Sequence, residues 1–390
     1  MFRSMPFLLL IVIAMIVLFD SFIPLEVKQI LLAMSLSFKS AIIFVLPIII
    51  FSLLFKTMVN LASKATAVIA LILVCVCCSN FLSTFISHYI GQMIYHLDIS
   101  IIPPRTTEGL IPAWSWQLPK LIENNRAMFA GIFLGSLLGR TKPQFARMLA
   151  DKLEWLTMSI LGSFKYFIPF FVAGCVVKLQ YDGVFSMILK DYAVIFGIVA
   201  LAQLTYVTLA FLALYNFNLR AALAAMKNFI PAAIAGFSTM SSAAVMPLTI
   251  EAAAENAKDK DLARAIVPCT VNIHLLGDCI GIPIFAYALM KSFAMPEPAL
   301  MSYLVFVCYF VIAKFSVAAV PGGGIIVMLP ILESHLGFTP EMLSLITALY
   351  ILFDPVVTCA NILGNGAFAK LIDKIMASNL VRYFHKPALA

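Results

Sequence analysis

Apolar runs of about 20 residues, the length that carries a helix across a bilayer core, recur along this chain from its first turns to its last. Such a run must satisfy its own backbone in a solvent that offers no hydrogen bonds, and a helix does so within one segment. Of 390 residues, 63% are hydrophobic and only 12% charged, too few charges to cover a soluble chain of this length. The sequence therefore predicts an all-α polytopic membrane protein embedded in membrane lipid, without a separate soluble domain. Its net charge of +7 is scattered over short loops, which reflects topology and points to no nucleic-acid partner.

The first run (6–19) follows Arg3 and leads through DSFIPLEVKQ into the next apolar block without a small-x-small cleavage site. It reads as a transmembrane helix with its amino end inside rather than as a signal peptide. Further spans are expected at roughly 41–62, 67–95, 127–139, 153–178 and 192–216, the first extending over roughly 5–25. Segment 97–126 is a polar interlude whose Trp114 and Trp116 suit a membrane–water interface. Gly131, Gly135 and Gly139 recur every four residues and let a neighbouring helix approach, either of another subunit or of the same chain. All eight cysteines lie in apolar stretches without paired metal-ligand spacing, so no metal site is expected.

Two segments of the second half are too broken for single spans. Residues 229–250 carry Ser238, Thr239, Ser241, Ser242 and then Pro247, and residues 304–332 carry Pro321, Gly322 to Gly324 and then Pro330. Each fits two half-helices meeting at a polar or glycine tip, a re-entrant hairpin whose nonhelical backbone must line a cavity or be buried. Each precedes a polar, interrupted span: 31 residues separate Ser241 from Asn272, and 33 separate Pro321 from Asp354. The expectation is about eight transmembrane helices plus two re-entrant helical hairpins in an inverted-repeat transporter core. Over that layout 16 basic residues fall inside and 8 outside, with Lys165 and Lys314 within membrane segments, which places both termini in the cytoplasm.

STMSSAAVMPLT at the first tip, AAVPGGGI at the second, TVNIHLLGD in the first broken span and DPVVTCANILGNG in the last together resemble the dicarboxylate/amino acid:cation symporters, the glutamate-transporter-like proteins. The resemblance implies a bacterial inner-membrane homotrimer with an elevator mechanism. It assigns 1–66 and 97–190 to a scaffold (helices 1–2 and 4–5). It assigns 67–96 (helix 3) and 191–390 (helix 6, hairpin 1, broken helix 7, hairpin 2, broken helix 8) to a transport domain. The implied substrate is a small amino acid, moved with Na+ or H+ and without a further cofactor.

The resemblance also implies the site. A mid-membrane aspartate costs about 2.5–3.5 kcal/mol on insertion scales, so Asp354 should face a cavity or a partner. At the matching position the family binds the substrate's amino group, and at Asn361 its α-carboxylate; Thr358 shares the face, with Ser241, Ser242, Val320 and Gly324 supplied by the tips. The family's acidic-substrate members carry an arginine where Val357 stands, so a neutral amino acid is expected, with a dicarboxylate or acidic amino acid symporter, or a substrate-gated anion channel, as alternatives. The cation-coupling positions are Thr270, Asn272, His274, Lys314 and Asn365. Two readings of Lys314 and His274 stay open. Either one supplies the positive charge that sodium supplies elsewhere, or Lys314 snorkels and His274 is a neutral hydrogen-bonded residue. Asp278 is a candidate partner for Lys314. Ser241, His274 and Asp354 can be drawn as a hydrolase triad, but GFSTM lacks the second glycine of a nucleophile elbow; the chain is not expected to be an enzyme.

Overall fold

The computed structural model describes residues 5–63, 67–96, 110–119, 121–122, 124–181, 185–317 and 321–377, and among them there is no strand. The helices are α1 (Met5–Phe19), α2 (Leu25–Ser63), α3 (Ala67–His96), α4 (Asn124–Thr141), α5 (Pro143–Tyr181), α6 (Phe185–Leu214) and α7 (Leu219–Asn228). After them come α8 (Ile230–Thr239), α9 (Met246–Asn256), α10 (Lys260–Thr270), α11 (Leu276–Ser292), α12 (Leu300–Lys314), α13 (Gly323–Leu336) and α14 (Pro340–Ala377).

The ends of the expected spans move for identifiable reasons. The first stops at Phe19, because Asp20 opens a short 3-10 turn and takes the ammonium of Lys28 at 2.8 Å. The second begins well before residue 41: α2 and α5 are each 39 residues long, about 58 Å at the helical rise and far beyond a 30 Å hydrocarbon core. Part of the polar interlude lies along α2. Ala113 donates its amide to the Gln29 carbonyl (3.1 Å), and the Trp114 indole donates to the Ser37 hydroxyl (3.0 Å). Residues 97–109 of that interlude are outside the described residues.

The small-residue stripe settles as a contact within the chain. A methyl group on Gly131 would stand 2.8 Å from the Phe51 carbonyl, and one on Gly135 2.7 Å from that of Phe55, so α4 seats directly on the backbone of α2. Helices α2, α4 and α5 pack along one another, whereas α3 lies on α11 and α12, and α14 touches α6, α8 to α11 and α13.

By length and apolarity three helices among the described residues can cross a membrane: Leu71–His96, Tyr192–Leu214 and Pro340–Ala377. The pair α7 and α8, bent by 47° at Phe229, makes a fourth if it is one span; α1, Phe44–Lys56 of α2, Tyr166–Lys178 of α5, α12 and α13 are shorter apolar helices. Of the two interruptions expected after the tips, one exists. The chain leaves helical geometry between Thr270 and Leu276, but α14 runs unbroken through Pro355 and Gly364. Its middle is buried on nearly all sides, and neighbouring protein groups can satisfy the backbone that a proline frees, so the helix continues through Pro355.

Candidate functional site

Asp354 lies in the middle of α14 with 3% of its surface exposed. A carboxylate there needs donors, and it has them. Oδ2 accepts the amide of Gly322 at 2.8 Å, and Oδ1 accepts the Thr358 hydroxyl, one turn on, at 3.3 Å. Gly322 is left-handed (φ 70°) and caps the start of α13, a conformation that side-chain-bearing residues rarely adopt. The positive end of α13 thus rests on the carboxylate.

Two tips close over it. At the first, Met240 ends α8 in the left-handed region (φ 53°) and turns its amide back to Gly236. Ser242 follows it into a small cavity of about 20 Å³, shared with Gly324, Asp354, Thr358 and Asn361. That volume holds roughly one water molecule. Met240, Leu275, Val317, Tyr350 and Asp278 complete the wall. Ser241 points elsewhere, its hydroxyl accepting the Ala244 amide at 3.2 Å. Val357, fully buried, packs its side chain toward Gly281 of α11 and is not part of the wall. Val320 lies outside the described residues.

The break before α11 shows how polar backbone survives here. Leu275, the residue before the helix, has no side-chain cap, so the cap comes from other helices. Asn361 Oδ1 on α14 accepts the Gly277 amide at 2.8 Å, the bond an N-cap side chain ordinarily makes. Gln203 on α6 donates to the Gly277 carbonyl (2.9 Å), Asn80 on α3 to that of Ile273 (2.8 Å), and Asn365 to that of His274 (3.2 Å). Because Asn361 must present its oxygen to an N–H, its amide nitrogen is the group left to face the cavity.

None of the proposed coupling residues lines the cavity; Lys314 is tied to its wall through Asp278. It is fully buried, so it does not snorkel; its ammonium sits 3.0 Å from Asp278 Oδ2 and 4.8 Å from the Phe310 ring centroid. Tyr350 donates to Asp278 Oδ1 at 2.6 Å. His274 turns to a different cavity, where its Nε2 meets the Ser79 hydroxyl at 2.9 Å and its ring lies against Phe368. Thr270 bonds back to its own helix, and Asn272 is exposed. The triad of Ser241, His274 and Asp354 is not assembled, since each of these side chains has a separate partner.

Tyr350 and Asp278, which complete the cavity wall, are not among the residues the sequence places there. A tyrosine in an apolar helix carries no signal, although the spacing 350, 354, 358, 361 places it on the face of Asp354.

A family model described as the sodium:dicarboxylate symporter family matches residues 125–375. Excitatory amino acid transporter 1 of Homo sapiens is 23% identical over 290 residues, covering 71% of this chain and 51% of that protein. The Mus musculus protein of the same name is 23% identical over 263 residues, covering 65% and 47%. The chain spans about half the length of the relatives it matches.

Proposed function

The chain belongs to the sodium:dicarboxylate symporter family, and from that premise we propose that it is a secondary transporter whose solute binds in the Asp354 cavity. The observation that carries this reading is a buried carboxylate held between two nonhelical tips, with Ser242, Thr358 and Asn361 around the same space. The solute is a small neutral amino acid. Its ammonium takes over Asp354 from the Gly322 amide by a charge-assisted hydrogen bond, and its carboxylate accepts from Asn361 Nδ2 and the Ser242 tip. A cavity of roughly one water's volume means that the second tip must lift before the solute enters.

The two tips act as re-entrant hairpins of an inverted-repeat core, and α3 with α6 to α14 moves as a transport domain in an elevator-type cycle. What supports this division is the packing: α2 lies mainly against α4 and α5, with a minor contact to α13, and α3 lies mainly against α11 and α12. In this proposal the protein works as a homotrimer in a bacterial inner membrane, driven by a cation gradient, with both termini in the cytoplasm.

A second reading, an acidic amino acid or dicarboxylate as solute, has the names of the relatives in its favour. A second carboxylate on the solute would need a cation at the cavity, and the Lys314 ammonium near its wall is already engaged by Asp278. Binding of serine, alanine, aspartate and succinate to the purified protein separates the two. Saturable binding of serine or alanine with none of succinate is expected; saturable binding of aspartate alone would refute the neutral reading, and binding of none of the four the assignment of the cavity.

A further inference from the structure

Asp278 and Asp354 both line the cavity, and the Lys314 ammonium pairs with Asp278 from behind the wall. Lys314 is the last residue of α12, and its whole side chain is inside the protein. Its nitrogen lies over the Phe310 ring, one turn earlier, and 3.0 Å from Asp278 Oδ2. The other oxygen of Asp278 takes the Tyr350 hydroxyl. Asp278 lies in the first turn of α11, where the helix dipole favours a negative charge. Each of its oxygens is therefore committed to a different neighbouring helix, α12 or α14.

The family description implies a sodium ion. Sodium seeks oxygen ligands, and Asp278 is the carboxylate an ion entering between α11 and α12 would use. There it would meet a fixed ammonium at hydrogen-bond distance from the same oxygen, and like charges that close in a poorly screened interior repel strongly. The residues around Asp278 do not fit a mobile cation.

We propose that Lys314 is a resident cation: its ammonium permanently supplies, at Asp278, the single positive charge that an alkali ion would bring, so this site holds together without sodium. The consequence for coupling rests on the transport reading above; the site itself can be tested without any solute.

The test is thermal unfolding of the purified, solute-free protein, with sodium chloride exchanged for choline chloride at constant ionic strength. The wild type is expected to melt at the same temperature in both salts. Lys314→Met leaves Asp278 buried and unpaired, so its melting temperature falls. Sodium, raised from about 1 to about 100 mM, recovers at least about 4 °C that choline does not, as mass action requires of an ion that binds the folded state. Lys314→Met with Asp278→Asn removes both charges and is again indifferent to sodium. If the single variant does not fold, a folded double variant carries the same conclusion, because only the unpaired charge differs between them. A double variant that also fails to fold overturns the proposal. So does sodium stabilisation of the wild type equal to that of Lys314→Met, or a single variant that folds and ignores sodium. Failure of the transport reading would show instead as absent solute binding, with these melting results unchanged.

Discussion

Asn361 is asked to do two things with the two ends of one amide, and substitution can separate them. Its oxygen caps α11 through the Gly277 amide at 2.8 Å, and the side chain also lines the cavity. Asn361→Ala removes the acceptor and leaves a buried N–H at a helix start. The loss of a cap and of a buried hydrogen bond together predict about 2 kcal/mol, or on the order of 4 °C in melting temperature. Asn361→Asp keeps an oxygen for Gly277, at a helix end whose dipole favours an anion, and so should recover at least half of that loss. It also puts an oxygen where the amide nitrogen would meet the solute's carboxylate. Losing a hydrogen bond to a charged group is worth about 2 kcal/mol, roughly 30-fold in affinity, before any repulsion is added. Melting curves and equilibrium binding of a neutral amino acid, measured on the same preparations, give both numbers. Were Asn361→Asp to bind as tightly as wild type, the carboxylate contact is wrong; were it to melt as low as Asn361→Ala, the cap from α14 is wrong.

Asp354→Asn retains an acceptor for the Gly322 amide but loses the charge that holds an ammonium, so it should fold while solute affinity drops about 30-fold; unchanged affinity in calorimetry would place the ammonium elsewhere. Gly324→Ala drives a methyl group against the Tyr350 hydroxyl and to 2.6 Å from Asp278 Oδ2, an overpacking cost of about 1–3 kcal/mol. Gly197→Ala on α6, with nothing within 4 Å of the added carbon, should melt at or slightly above the wild-type temperature. Asp373 holds the amides of Lys258 and Asp259 and the Lys370 ammonium, each at 3.0 Å. Asp373→Ala should therefore free the turn before α10, read as faster tryptic cleavage at Lys258 and Lys260.

How much of this was legible depended on whether a residue announces its own cost. Asp354 and Lys314 do, as charges inside apolar runs, and both led to buried, partnered positions. The pairing of Lys314 with Asp278, 36 residues away, was only a candidate, because sequence gives charges but not which helices meet. Asn80 and Gln203, which prop the break before α11 from α3 and α6, look like ordinary polar residues in helices. Proline misled in the last span, where Pro355 sits inside an unbroken α14, whereas the chain between Thr270 and Leu276 leaves the helix with no proline in it. When neighbouring side chains can satisfy a freed carbonyl, a proline does not end a helix. The break instead stands where amide side chains from three other helices gather.

The peptide group of Gly322, docked on Asp354, makes the cavity a self-plugged one. If the proposed site holds an amine, that amine competes with a covalently attached rival whose local concentration never falls, so apparent affinity scales with the fraction of time that the plug is out. Arrival should then be slower than free diffusion allows, and loosening the loop at Gly322 should speed entry and exit together.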